Sequence, residues 1–229
     1  MKLGIIAAMQ KEAELILSAM TDVSSEVCGS ITYKMGKIGS TEIVCAVCGI
    51  GKVFAAMCAQ TMIVKYAPDA VINTGVGGTL TCELSIGDIA VSSDVVQHDM
   101  DTSALGDPVG LISGINVIHI KADVKLGDAV CAIADELGMK TYRGTIASGD
   151  KFVADTKIKA YITDNFGAIA CEMEGAAVGQ TCYVNNVPFL VIRAISDDAD
   201  GGACEDYPTF AKKSAENSAK LVIKLASSM

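Results

Sequence analysis

Apolar residues fall along this chain in two alternating kinds of block. Short, nearly unbroken apolar runs at 3–8, 42–48, 70–73, 168–171 and 187–195 read as buried strands. Segments 31–38, 88–96 and 141–147 read as further strands. Between them, apolar positions recur every three to four residues at 10–20, 52–66, 123–137, 156–165, 174–184 and 207–226, the spacing of amphipathic helices. Strands alternating with helices imply a mostly parallel sheet covered on both faces. The consecutive strands 31–38 and 42–48, joined at Gly39-Ser40, add an antiparallel element. The pattern therefore predicts an α/β fold: a three-layer sandwich with a mixed, mostly parallel central sheet flanked by helices, in one domain over 1–229. No internal repeat, linker or low-complexity segment interrupts it.

Composition narrows the function. A chain of 229 residues, 51% apolar with 22 glycines and 4 prolines, has the make-up of a globular α/β protein. A formal charge of −9 with no basic cluster argues against nucleic acid as a partner. The N-terminal apolar run is short and leads straight into a helix, and no stretch has the length of a membrane span, so a cytoplasmic protein is expected. The nine cysteines are odd in number and scattered, and Cys45, Cys58, Cys131 and Cys171 sit inside apolar patterns. They read as small core residues of a reducing compartment. Cys45-Ala-Val-Cys48 has no sister pair, and His98 and His119 are the only histidines, so neither a metal site nor a cofactor is expected.

Candidate chemistry lies where charges follow apolar runs. Glu172-Met173-Glu174 follows one strand, and Arg193 and Ser196-Asp197 close another. In open α/β sheets, ligands bind beyond the carboxyl ends of the strands, so these groups are aimed at one small-molecule site. An ion-pair network under the sheet or a helix cap accounts for one such carboxylate, but not for several. Glu12 lies three residues after Met9, at the mouth of the first strand. It fits a first-turn carboxylate favoured by the helix dipole and equally a general base beside a ligand. Two glycine-rich segments, 48–52 and 74–78, read as loops after strands; neither matches a nucleotide-phosphate signature. Phe152, in the loop after strand 141–147, is a candidate to cover a flat base.

In order along the chain stand Gly4-Ile5-Ile6, Met9, Glu12, Gly49-Ile50-Gly51-Lys52, Asn73-Thr74-Gly75, Ser148-Gly149-Asp150 with Phe152, Glu172-Met173-Glu174 and Arg193-Ala194-Ile195-Ser196-Asp197. This ordered set resembles the bacterial 5′-methylthioadenosine/S-adenosylhomocysteine nucleosidases of the nucleoside phosphorylase/hydrolase superfamily. The resemblance implies cleavage of the bond between adenine and a 5′-thioribose by water. It makes Glu12 the base that activates water and Asp197 the acid that protonates adenine. Glu174 would hold the ribose hydroxyls, with Met173 and Met9 beside the sugar. Phe152 would stack on adenine and the Val153 backbone would read its edge. Arg193 and Ser196 would support the polar end, Gly78 would line the ligand, and Ile50 and Tyr207 would help close the pocket. Leu105, in a segment that lines the neighbouring subunit's site in that family, implies a homodimer.

The chain departs from the family's usual Asn-Thr-Gly-Ser-Ala-Gly, carrying Val76 where a hydroxyl stands near the sugar and the water. Thr102 and Leu105 replace bulkier apolar residues near the 5′ group. Three other readings stay open at this stage: a phosphorylase of the same superfamily, a nucleosidase for another purine nucleoside, and a non-catalytic binding protein. The first would need cationic donors for phosphate near Met9-Gln10-Lys11 and Asn73, where Lys11 and Lys52 are the only cations nearby.

Overall fold

The computed structural model describes residues 1–197 and 203–229 and, in the last helix, side chains from Phe210 onward. The first half runs β1 (Lys2–Ala7), α1 (Gln10–Ala19), β2 (Thr21–Cys28), β3 (Ile31–Ile38), β4 (Thr41–Val47), α2 (Lys52–Tyr66), β5 (Ala70–Thr79) and β6 (Ile89–Gln97). After a short turn at Ser103–Leu105 come β7 (Ile120–Lys121), α3 (Val124–Glu136), β8 (Thr141–Ser148), α4 (Thr156–Phe166), β9 (Ala168–Glu172), α5 (Gly175–Val184), β10 (Phe189–Asp197) and α6 (Ala203–Ser228). Among these residues no helix is long and apolar enough to cross a membrane.

The predicted mixed α/β architecture is present. β1 lies between β4 and β5, paired in parallel with both, and its residues from Leu3 to Ala7 are buried. Gly4 lets α2 press onto this strand: a Cβ there would stand 2.6 Å from the Met62 sulfur. Helix starts follow local chemistry. Asp123 caps α3 by accepting from the Leu126 amide at 2.8 Å, and Asp155 caps α4 by accepting from the Lys157 amide at 2.7 Å. α4 then stops at Gly167, whose φ of 60° suits a residue without a side chain.

Three features go beyond the sequence reading. First, antiparallel pairings are as frequent as parallel ones among the described strands, and β10, β6, β8, β9 and β5 close into a ring because β5 also pairs with β10. Second, β2 is a strand although it carries no apolar face. It hangs on β3 alone at the sheet edge and is exposed along most of its length, so burial imposed no alternation on it. Third, 74–78 is not a loop. β5 continues through Gly75, Val76, Gly77 and Gly78 to Thr79, buried throughout, in register with β10.

Candidate active site

The continuation of β5 brings the predicted carboxylates together. Glu12 is the third residue of α1, and its Oε2 accepts from the amides of Ala8 and Met9 at 3.0 and 2.8 Å. Its Oε1 accepts from the Val76 amide at 3.0 Å. Glu12 thus ties the first helical turn to β5. The glycines of β5 are there for space, since none of Gly75, Gly77 and Gly78 has a positive φ. A Cβ on Gly75 would lie 2.6 Å from Glu12 Oε1, and one on Gly78 would lie 2.7 Å from Asp197 Oδ2. A Cβ on Gly77 would stand 3.0 Å from the Cys171 carbonyl oxygen. The backbone of β5 is a bare floor on which both acids rest.

Over this floor opens a cleft of roughly 640 Å³, open solvent at its mouth included. Its walls include Met9, Glu12, Ile50, Val76, Gly78, Phe152, Val153, Met173, Glu174, Ser196 and Asp197, all candidates from the sequence. They also include Glu172, one of the charges aimed at the site from the sequence though without an assigned role, and Ala8, Gly77, Lys151 and Cys171, which were not singled out. Cys171 and Met173 lie two apart at the end of β9, so strand alternation was the available signal for Cys171. Ser196 Oγ donates to Asp197 Oδ1 at 3.0 Å. Phe152 and Ile50 stand at the mouth, 47% and 55% exposed.

Two candidates sit elsewhere, and one lies outside the described residues. Arg193 is not on the wall. It lies fully buried in β10, where its guanidinium donates to the Asn73 carbonyl at 3.2 Å, to Asn73 Oδ1 at 2.5 Å and to Glu172 Oε2. The cause is the strand period: Ser196 and Asp197 follow a register shift at Ile195, and Arg193 packs against the bare Cα of Gly77. Leu105 is 85% exposed on its turn and does not line this chain's cleft. The side chain of Tyr207 is outside the described residues. Asn73, polar within a wholly buried strand, was the sequence signal for Arg193's partner.

Glu172 anchors the polar network. It accepts from the amides of Glu174 and Gly175, from Ser148 Oγ and from Arg193. Glu174 accepts from the Gly51 amide at 2.8 Å and lies 3.9 Å from Arg193. One guanidinium therefore faces Glu12, Glu172 and Glu174. Burial pushes the Glu12 carboxyl upward; the Arg193 charge and the three amides oppose this. Its surroundings are donor-rich, but dry rather than wet. Burial, followed by the neighbouring Glu172 charge, raises Glu174 to about 7. Cys45 is pushed to about 12 by burial and is an inert core thiol.

The Phosphorylase superfamily family model matches residues 2–227. The 5′-methylthioadenosine/S-adenosylhomocysteine nucleosidases of Shewanella loihica and Shewanella oneidensis are 38% and 39% identical over 226 residues, covering 98% of this chain and 98% and 96% of theirs. The chain belongs to this nucleosidase family, within the phosphorylase superfamily. Among solved structures of the family, a Helicobacter pylori aspartate-to-asparagine variant with 5′-methylthioadenosine in its active site superposes with a TM-score of 0.96 at 35% identity, covering 100% of this chain and 99% of that one. The Neisseria meningitidis nucleosidase in complex with methylthio-immucillin-A gives the same TM-score, identity and coverage. A futalosine hydrolase of Helicobacter pylori is also similar, with a TM-score of 0.95 at 35% identity, covering 100% of this chain and 98% of that one.

The raised Glu174 sets a pH dependence of stability. A carboxyl whose folded value lies above its ordinary 4.5 contributes stability below that pH, and the contribution is lost as pH rises through about 7. At pH 8 the ligand-free protein has lost this contribution. Glu174→Gln is expected to raise the ligand-free Tm at pH 8, with the gain shrinking toward pH 5. Thermal melts at the two pH values check this.

Proposed function

We propose that this protein hydrolyses the N-glycosidic bond of 5′-methylthioadenosine and S-adenosylhomocysteine, releasing adenine and the 5′-thioribose. The carrying observation is the charge of the cleft. Four carboxylates, Glu12, Glu172, Glu174 and Asp197, line it, and Lys151 is its only lining cation among the described residues. Walls so poor in cations give an anionic phosphate little to bind, and their carboxyl groups favour a sugar that turns cationic as its bond to the base breaks. The buried guanidinium beneath the cleft, that of Arg193, is already engaged by Glu172 and Asn73. Water is therefore the nucleophile, and the phosphorylase reading is disfavoured.

In this reading Glu12 takes the proton of the attacking water. The water oxygen bonds to the anomeric carbon and the carbon–nitrogen bond breaks, its electron pair passing to adenine. Asp197 protonates the leaving base. Partial burial of a base raises its affinity for the water's proton, and general acid–base help of this kind is worth about 10²–10⁴-fold in rate. Glu174 accepts from the ribose hydroxyls, Phe152 covers adenine, and Met9, Met173, Ile50 and Val76 wall the sugar. Val76 lacks a hydroxyl, yet its amide still holds Glu12. Arg193 acts from beneath, by keeping the carboxylates in place.

The working unit in this reading is a homodimer. Its support is an exposed apolar stripe at Val53, Phe54 and Met57 on α2, continuous with Ile50 at the cleft mouth.

The purified protein is expected to release adenine from methylthioadenosine in phosphate-free buffer, read by base release. Strict dependence on phosphate would overturn the hydrolase reading, and a preference for futalosine in the same panel would move the substrate. Asp197→Asn is expected to abolish turnover while the thermal melt is retained. Gly75→Ala, by displacing Glu12, is expected to lower kcat/KM about 10²-fold, measured with the same assay. Sedimentation is expected to give twice the chain mass of 23.7 kDa.

A further inference from the structure

Two loops frame the cleft mouth. Segment 48–52 after β4 carries Ile50 and Gly51, and segment 149–153 after β8 carries Phe152. β4 and β8 are not neighbours in the sheet, so no backbone ladder sets the distance between these loops. A ring of polar contacts does. Lys52 Nζ donates to Asp99 Oδ1 at 2.5 Å and to Gln97 Oε1 at 3.0 Å. The other oxygen of Asp99 accepts from the Asp150 amide at 2.9 Å. Asp150 Oδ1 in turn accepts from the Lys52 amide at 2.7 Å, which closes the ring.

We propose that the Lys52–Asp99–Asp150 ring is a positioning device for the active site, holding the sugar-side loop and the base-side loop at the span that a nucleoside requires. This inference rests on the nucleosidase reading above. The ring's members are next to the groups that would touch substrate. Gly51, adjacent to Lys52, donates its amide to Glu174 Oε1 at 2.8 Å, and Phe152 is two residues from Asp150. The glycine at 51 also keeps the ring tight, because a Cβ there would stand 3.0 Å from Asp150 Oδ1 at a φ of 102°.

The ring is built for geometry rather than stability. The side chains of Lys52 and Asp99 are 18% and 32% exposed, and ion pairs so placed add little to folding. Two of its bonds run to backbone amides, so it fixes main chain on both loops. Burial raises the Asp99 carboxyl, but Lys52 and the Asp150 amide outweigh it and hold Asp99 below the usual range. Asp99 therefore stays ionised at neutral pH.

The test is Lys52→Met, assayed for adenine release from methylthioadenosine beside the wild type and Phe152→Leu. Lys52→Met is expected to raise KM about 10-fold or more, with kcat changed less and the thermal midpoint nearly unmoved. Combined with Phe152→Leu, its effect on KM is expected to be clearly less than the product of the two single effects, because it acts through the placement of Phe152. Asp99→Asn, which keeps the shape and removes the charge, is expected to give the same direction, so the test survives if Lys52→Met fails to fold. A wild-type KM in both variants, or independent effects of Lys52→Met and Phe152→Leu, would overturn the inference alone. A wild type that releases no adenine would overturn the nucleosidase reading and this inference with it.

Discussion

The buried guanidinium of Arg193 is the group on which the rest of the site depends. It sits in β10 beside β5, bonded to Asn73 and to Glu172, and within 3.9 Å of Glu174. Without it, three carboxylates would share a dry volume with no counter-charge. Breaking a buried pair of this kind typically costs about 3–5 kcal/mol, whereas an apolar replacement of the whole pair is often neutral. The pair is therefore better understood as a device for keeping negative charge at a chosen place than as a source of stability. Glu172 completes it by accepting from the amides that open α5, which points Glu174 into the cleft.

That negative charge is usable because β5 gives up its side chains. Glycine in a strand interior normally weakens the strand, having no side chain to pack and more backbone freedom to lose. Here β10 pairs with β5 along its length through Gly78, while β1 holds the part before the glycines and β9 the part after Gly77, and these ladders offset that loss. The space freed over Gly75 and Gly78 is filled by Glu12 from the N-terminal end of the chain and by Asp197 near the other. The two acids meet different surroundings: Glu12 rests among three amides, and Asp197 accepts from Ser196 at the end of a strand. Carboxyl groups separated in this way can take opposite roles in one reaction.

Much of this was legible in the chain. Periodicity located the six helices and most strands, because burial on one or both faces leaves a pattern of 3.6 or an apolar run. The working carboxylates were legible as charges where apolar runs end, and Met173, Ser196 and Phe152 came with them. Arg193 was legible as important but misplaced: a charge inside an apolar run points into the core when its strand register says so, and a register shift after Ile195 cannot be seen in one dimension. β2 left no trace because most of it stays exposed and no apolar face had to be buried. The bare strand at 74–78 looked like a loop because glycine is most often a turn residue.

The sequence by itself determined the fold class, the positions of the helices and the candidate carboxylates, because the first two follow from local periodicity and the last from charges at element ends together with the family resemblance. Only the tertiary structure decided how the acids are shared out. Whether a glycine serves a turn or makes room for a carboxylate, and whether an arginine lines a cleft or braces it from below, depends on which strands become neighbours. That is set by pairings between residues more than a hundred positions apart, such as Asn73 with Arg193, and no local pattern encodes the distance between them.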